Sequence, residues 1–117
     1  MAKLLLKHEG LTLGSYALDK EELTIGRVSS NDIQLDDPAV SSRHAHITRA
    51  PNDYLEGHYD YTLTDLGSTN GTRVNGRKVS RHLLKHDDKI QIGIHEFVFD
   101  SGEPQSYETT AIYLPED

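Results

Sequence analysis

Three stretches of the sequence concentrate hydroxyl, amide and guanidinium groups, the side chains that donate hydrogen bonds to anions. They are Gly26-Arg27, Ser41-Ser42-Arg43-His44 and Asp65-Leu66-Gly67-Ser68-Thr69-Asn70-Gly71-Thr72. A functional interpretation of the second stretch is that its serine hydroxyls and its cationic side chain donate hydrogen bonds to a bound anion. Each stretch also has an ordinary structural explanation. An arginine after a strand is usually a solvated charge, a hydroxyl and an imidazole often satisfy loop backbone groups, and hydroxyl-rich loops are common.

His44 and His46 raise a second possibility, because residues two apart on a strand face the same way and two imidazoles can share a metal ion. The spacing identifies no third ligand, so we interpret an inward histidine as bonded to a loop and predict no metal site. A hydrolase would need a positioned serine, histidine and acid with an oxyanion site. Ser41 and His44 lie in no nucleophile-elbow pattern, so we expect neither an enzyme nor a cofactor.

The apolar residues around these stretches recur at every second position, which predicts half-buried strands. Turn signals such as Asn70-Gly71 and Asn75-Gly76 separate them. Many short strands about ten residues apart predict an all-β fold, an antiparallel β-sandwich. The alternating pairs include Leu11 and Leu13, Leu23 and Ile25, Ile33 and Leu35, Ala45 and Ile47, Ile92 and Ile94, and Phe97 and Phe99.

The charge of the chain is uneven along its length. Lys plus Arg number 12 and Asp plus Glu 19, a net charge of −7, which argues against a general nucleic-acid or anionic-membrane binder. After Phe99 the alternation ends, so residues 1–100 are the predicted domain and residues 101–117 an acidic flexible tail. The lack of cysteine excludes a disulfide framework, and no apolar run suffices for a signal peptide or membrane helix. We therefore expect a soluble cytoplasmic protein.

In their order and spacing these pieces resemble a forkhead-associated (FHA) domain, over residues 3–100. The resemblance rests on Gly26-Arg27, Ser41-x-x-His44, Asp65-x-x-Ser68-Thr69-Asn70-Gly71-Thr72, Val74-Asn75-Gly76 and Leu84-x-x-x-Asp88-x-Ile90-x-Ile92-Gly93. It implies an eleven-stranded β-sandwich whose loops at one end bind phosphothreonine peptides. The partners would be phosphothreonine-containing proteins, and a Ser/Thr protein kinase would write the mark.

The resemblance also implies roles for individual residues. Arg27 would be the charged phosphate contact and Ser41 would donate a hydroxyl to the same phosphate. Thr69 would line the phosphate and the threonine methyl, while Asn70 would hold the peptide main chain. Further donors would be Ser42 and Arg43, and the architectural supports would be Gly26, His44 and Gly71.

Two positions depart from the pattern of many family members. Ser42 stands where a long or amide side chain is common, which favours weaker binding, although Arg43 can compensate. Ala39 stands where some members carry a basic residue that prefers an acidic side chain at position +3 of the peptide. The alanine therefore favours an apolar or undemanding +3 preference.

Two alternative functions remain open. The first is a scaffold of the same fold for phosphate-independent interaction or oligomerisation. The second is nucleic-acid binding through a basic stretch, which also contains Asp87 and Asp88 and no aromatic residues for base stacking. We interpret that stretch as a solvated face. Its basic residues are Arg73, Arg77, Lys78, Arg81, Lys85 and Lys89.

The tail contains two candidate phosphorylation sites, Thr109 and Thr110. Glu108-Thr109-Thr110 resembles a stretch that some bacterial FHA proteins carry in a flexible tail and bind through their own domain after phosphorylation. Ile112 lies three residues after Thr109, as an apolar +3 preference requires. The sequence thus leaves two interpretations of the tail, self-association after phosphorylation or an inert linker.

Overall fold

The computed structural model describes residues 2–102 and folds them into eleven strands. The predicted all-β, eleven-stranded sandwich is confirmed, and within residues 2–102 no helix has the length and apolar character to cross a membrane. The strands are β1 (Lys3–His8), β2 (Leu11–Ala17), β3 (Glu22–Gly26), β4 (Ile33–Gln34), β5 (Ala45–Pro51), β6 (Tyr59–Asp65), β7 (Thr72–Val74), β8 (Arg77–Val79), β9 (Arg81–Leu83), β10 (Lys89–Ile92) and β11 (His95–Asp100).

The strands form two sheets, one with the order β2-β1-β11-β10-β7-β8 and the other with the order β4-β3-β5-β6-β9. Neighbouring strands are antiparallel with one exception among the described residues. The short strand β4 runs parallel to β3, with Ile25 opposite Ile33. The sequence did not predict this pair, because parallel neighbours require a crossover rather than a tight turn. Here residues 27–32 form that crossover, and it begins with Arg27.

The core lies between the two sheets and contains the inward members of the alternating pairs. Ile25, Leu63, Ile90 and Phe97 are fully shielded from solvent. Tyr61 packs against Phe99 at the edge of this core. Alternation therefore identified most of the interior correctly, since a strand with one buried face must place every second side chain inside.

Some apolar residues that the alternation predicted to be half-buried are exposed, among them Leu11, Leu13 and Ile94. Leu11 is 66% exposed and Leu13 61%, because β2 is an edge strand whose register with β1 shifts beside Leu6. Ile94 is 84% exposed, because it lies outside the strands, in the turn between β10 and β11. A period of two carries no information about edge position or about where a strand stops.

The connections at one end of the sandwich converge and are called the loop end below. Residues 27–32, 35–44 and 66–71 lie there, beside the turn between β10 and β11. At this end His95 Nε2 lies 3.1 Å from Asp37 Oδ2, which joins that turn to the loop before β5. The first and last strands pair with Lys3 opposite Asp100, so both ends of the described chain leave at the opposite end.

Asp88 joins three elements below the surface of the sandwich. Its carboxylate accepts hydrogen bonds from the Asn75 amide (2.9 Å), the His82 ring (3.0 Å) and the Lys85 N–H (2.8 Å). Burial raises the pKa of the Asp88 carboxyl, but these donors lower it by more, so its net pKa lies below the ordinary value. A carboxyl whose pKa is lowered by folding stabilises the fold above its unfolded pKa and loses that contribution as the pH falls through the folded value.

We expect Asp88→Asn to lower the free energy of unfolding at pH 7 by about 1.5 to 3 kcal/mol, the range for hydrogen bonds to a charged group. The difference from wild type should shrink below about pH 4, where the wild-type carboxyl also protonates. Urea unfolding between pH 7 and pH 3 measures this, with Asp53→Asn in an exposed loop as control. Equal stability of wild type and Asp88→Asn at pH 7 would contradict the interpretation.

Candidate functional site

The buried His44 ring links the loop before β5 to the loop before β7. Its Nδ1 accepts a hydrogen bond from the Ser41 N–H at 3.1 Å, and its Nε2 lies 2.9 Å from the Gly71 carbonyl oxygen. Because Nδ1 is the acceptor, Nε2 must carry the hydrogen and donate. The expectation that an imidazole braces the Ser41 loop agrees with this geometry, and His44 is entirely buried.

Arg27 is exposed and lies across the same loop. Its Nε donates to the Val40 carbonyl at 3.0 Å and its Nη2 to Ser42 Oγ at 3.0 Å. Its own N–H donates to the Ser41 carbonyl at 2.9 Å. The side-chain bonds use two of the five guanidinium N–H groups and leave three, and among residues 2–102 no carboxylate lies within ion-pair distance of Arg27.

The Ser41 hydroxyl lies where the two loops meet. Its oxygen accepts the Thr69 N–H at 3.0 Å. A hydroxyl has one hydrogen to donate, so the Ser41 O–H remains available for a further acceptor. The same holds for Ser42, whose oxygen accepts from Arg27.

Asn70 ties the two loops together a second time. Its side-chain amide donates to the Ala39 carbonyl at 2.8 Å, which leaves the amide oxygen and the second N–H of the exposed side chain available. Thr69 is exposed beside it. The loop before β5 and the loop before β7 therefore form one surface, with Arg27 at its edge.

Asp65 organises the second loop and was not among the predicted site residues. It accepts hydrogen bonds from the Gly67 and Ser68 N–H groups and from the Ser68 and Thr72 hydroxyls. Burial raises the pKa of the Asp65 carboxyl, but these four donors lower it by more, so the net pKa is below the ordinary value. A carboxylate beside an anion site would repel the ligand. Here four hydrogen-bond donors of the loop surround the Asp65 carboxylate and offset part of its negative charge.

Glycine is required at two positions of the site, at Gly26 by close contact with backbone and at Gly71 by a positive φ. A Cβ on Gly26 would lie 2.3 Å from the Ser42 carbonyl oxygen and 2.6 Å from Asn31 Nδ2. Gly71 has a φ of +88° and would meet the Lys78 side chain at 2.6 Å. The neighbour at Gly26 is backbone, whereas the neighbour at Gly71 is a side chain that can move. Asn31 is a support that the sequence analysis missed, and its amide donates to the Val28 and Ser42 carbonyls.

Some predicted residues are not brought into this arrangement. Arg43 is exposed, and its side chain forms no hydrogen bond or ion pair with residues 2–102. Thr109 and Thr110 lie outside the described residues. The His46 Nδ1 atom lies 2.5 Å from Glu22 Oε2, whereas the His44 ring contacts Ser41 and Gly71. The described part of the chain contains no cluster of three or more potential metal ligands.

The six basic residues of the stretch between Arg73 and Lys89 are exposed on strands of both sheets and on the segment between β9 and β10. Asp87 and Asp88 lie within the same stretch. The stretch therefore carries both charges, as a solvated face does, and it offers no aromatic residues for base stacking.

Comparison with known protein families identifies the arrangement. The model of the FHA domain matches residues 23–93. The chain belongs to the FHA domain family. The match includes Gly26 and Arg27, both loops and the strands between them, and the FHA β-sandwich recurs in solved structures. One, from a study of phosphothreonine-dependent FHA domain interactions, is 31% identical with a TM-score of 0.72, over 88% of this chain and 98% of that one.

Another similar structure is EmbR of Mycobacterium tuberculosis in complex with a low-affinity phosphopeptide. It is 33% identical with a TM-score of 0.73, over 88% of this chain and 25% of EmbR. Among curated FHA relatives, the oxoglutarate dehydrogenase inhibitor of Corynebacterium jeikeium is 38% identical over 88% of this chain and 67% of its own length. The glycogen accumulation regulator GarA of M. tuberculosis is 37% identical over 87% of this chain, which spans only 59% of GarA.

We expect Gly26→Ala to destabilise this FHA domain by about 1 to 3 kcal/mol or more, because the added methyl meets backbone and cannot be relieved by a side-chain rotation. Gly14→Ala is the matched control, since a Cβ there would have its nearest neighbours at 3.9 Å. Urea denaturation of both variants measures the difference. If Gly26→Ala were as stable as Gly14→Ala, the close approach of Gly26 to Ser42 would be wrong.

Proposed function

We propose that this FHA domain is a protein-interaction module that binds phosphothreonine peptides at its loop end and acts downstream of a Ser/Thr kinase. Arg27, Ser41, Ser42, Arg43, Thr69 and Asn70 would contact the peptide, supported by Gly26, His44 and Gly71. We further propose that residues 1–100 are the binding domain and residues 101–117 an acidic tail.

The observation that carries this proposal is the Arg27 side chain. Two hydrogen bonds to the loop hold its guanidinium in one orientation, and no carboxylate of residues 2–102 pairs with it. Acidic residues outnumber basic ones in this chain by 19 to 12, yet none of those described pairs with Arg27. A fixed guanidinium without an acidic partner favours an anionic ligand from outside the domain. Its free N–H groups suit phosphate oxygens, which accept charge-assisted hydrogen bonds.

The neighbouring donors match the remaining acceptors of a phosphate. A phosphothreonine carries a charge of about −1.5 to −2 and three strong acceptor oxygens. The Ser41 and Ser42 hydroxyls have hydrogens to donate because their oxygens already accept from Thr69 and Arg27. A phosphate bound beside Ser41 would thus meet donors from two separate segments of the chain, residues 27–32 and 35–44.

The specificity of the site would come from the second loop and from Ala39. Thr69 would enclose the methyl group of phosphothreonine, which favours it over phosphoserine by about 0.8 kcal/mol per buried CH₂ group. Asn70 would hold the peptide main chain with the amide oxygen and N–H that Ala39 leaves unused. Ala39 supplies no charge for an acidic +3 residue, so we propose an apolar or undemanding +3 preference.

The names of the relatives are consistent with a regulatory role. They include an oxoglutarate dehydrogenase inhibitor and a glycogen accumulation regulator, and the solved relatives include a phosphopeptide complex. A binding module of this kind would act by recruiting phosphorylated partners. We propose such a partner rather than a substrate for this chain.

We expect an oriented phosphothreonine library to select binders, and Arg27→Ala to weaken the best of them by about tenfold to a hundredfold or more. That range follows from about 1.5 to 3 kcal/mol for hydrogen bonds to a charged group. Isothermal titration calorimetry measures it, with circular dichroism as the control for folding. Arg77→Ala, an exposed arginine beside the turn between β7 and β8, should bind like wild type.

Equal affinity of wild type and Arg27→Ala would remove the guanidinium from the site. Equal affinity for the phosphorylated and unphosphorylated forms of a selected peptide would instead support the phosphate-independent scaffold. The library also tests the +3 preference, because selection of Asp or Glu at +3 would contradict the proposed role of Ala39.

A second element of the proposal is self-association through the tail. Phosphorylated Thr109, with Ile112 at +3, would be a ligand for the loop end. The ends of the described chain lie opposite that end, and a strand-length sandwich is about 20 Å long. The nine residues from Asp100 to Thr109 span at most about 32 Å and average about 17 Å as a flexible coil. Capture by a neighbouring chain is therefore less strained than folding back.

We expect protein phosphorylated at Thr109 to dimerise or form head-to-tail chains as its concentration rises, and Arg27→Ala to abolish this. Multi-angle light scattering at several concentrations measures the mass, with Thr109→Ala and the unphosphorylated protein as controls. A monomer at all concentrations with a freely mobile tail would contradict self-recognition. A monomer with an immobilised tail would contradict only the argument from reach.

A further inference from the structure

A groove opens at the end of the sandwich opposite the loop end, and we call it the terminal groove. It encloses about 410 Å³ between the loop after β5, the end of β9 and the end of β11. Its walls include large apolar side chains that remain about half exposed: Leu55 is 56% exposed, Tyr59 47% and Leu83 50%. This volume falls in the range of sites that bind ligands or peptide side chains.

The outer wall of the groove is the loop between β5 and β6, which is ordered by its own hydrogen bonds. The Asn52 side-chain oxygen accepts the N–H groups of Tyr54 and Leu55 at 2.7 and 2.8 Å. The Asn52 amide donates to Asp60 at 3.0 Å, and its N–H donates to the His58 carbonyl at 2.9 Å. Leu55 is therefore held over the groove by hydrogen bonds that do not depend on any occupant.

A fixed cation lies in the same groove. The Arg49 guanidinium lies over the Tyr59 ring at 4.5 Å, and no carboxylate of residues 2–102 pairs with it. Asp60 is the acid among the lining residues, and its carboxylate accepts from Asn52. The groove therefore combines an apolar floor with a positive group, which suits an apolar side chain flanked by acids.

The chain itself continues from this groove. Phe99 and Ser101 are part of its lining. The residues that follow Gly102 include Tyr107, with Glu108 directly after it and Glu103 four positions before it. Four residues separate Gly102 from Tyr107, so the Tyr107 Cα can lie about 17 Å from that of Gly102 at most. This reach covers the groove from which the tail departs but not the loop end.

We propose that the terminal groove is the docking site of the chain's own residues 103–108, with the Tyr107 ring between Leu55 and Leu83 and an acidic neighbour beside Arg49. The inference does not depend on phosphate recognition at the loop end. Docking holds the start of the tail at the far end of the domain. It therefore shortens the free length that carries Thr109 and adds to the strain of folding back onto the same chain's loop end.

NMR on the full unphosphorylated chain tests this proposal. We expect backbone order parameters above about 0.6 near residue 107, since flexible segments fall below that value, and nuclear Overhauser effects from the Tyr107 ring to the Leu55 and Leu83 methyls. Leu55→Glu should lower the order parameters to those of a flexible segment. Ile94→Glu introduces the same charge at an 84% exposed position at the loop end and should leave the tail unchanged.

Three results would overturn the proposal. One is a flexible segment around residue 107 in the wild-type chain. Another is an equally ordered tail in Leu55→Glu and in Leu83→Glu, both of which change side chains that are at least half exposed and not needed for the core. The third is that, in a mixture of labelled and unlabelled protein, the Tyr107 contacts arise between chains, which would make the occupant a second copy.

Discussion

The loop end depends on one buried imidazole. His44 has no exposed surface, and it joins the Ser41 N–H to the Gly71 carbonyl, two backbone groups 30 residues apart. An aliphatic side chain in its place would leave both groups buried and unpaired, at a cost of about 1 to 3 kcal/mol for each. The neutral ring with its hydrogen on Nε2 serves both at once. The position of the Ser41 hydroxyl, and with it that of Thr69, follows from this bridge.

The electrostatics of the loop end follow from how its acids are used. Asp65 lies within the loop, but four donors from that loop surround its carboxylate. Asp37 accepts the Ala39 N–H and lies beside the His95 ring. Both negative charges are thus engaged by the scaffold, whereas the Arg27 guanidinium keeps unused donors. An acidic domain can therefore present a local site for a dianion.

The sequence predicted the strands and most of the polar side chains that meet at the loop end, but not the backbone groups that hold them. Alternation identified Ile25, Leu63 and Phe97 as interior because burial on one face imposes a period of two. It could not identify Leu13 or Ile94 as exposed, since edge position and turn position depend on the sheet order. The family resemblance named Arg27 and Ser41, yet the acceptors of Arg27 include the Val40 carbonyl, which leaves no mark in a sequence.

The pairing of the first strand with the last has a consequence for biosynthesis. β1 joins the six-stranded sheet only through β11, with Lys3 opposite Asp100. During translation, residues 3–17 can form a hairpin but cannot dock until residues 95–100 leave the ribosome. Such contacts between distant residues are slow to form, because a long loop must close first. The nascent domain therefore carries an unsatisfied strand edge until β11 has emerged, and the apolar side chains of β1 are most vulnerable to aggregation and to proteases during that interval.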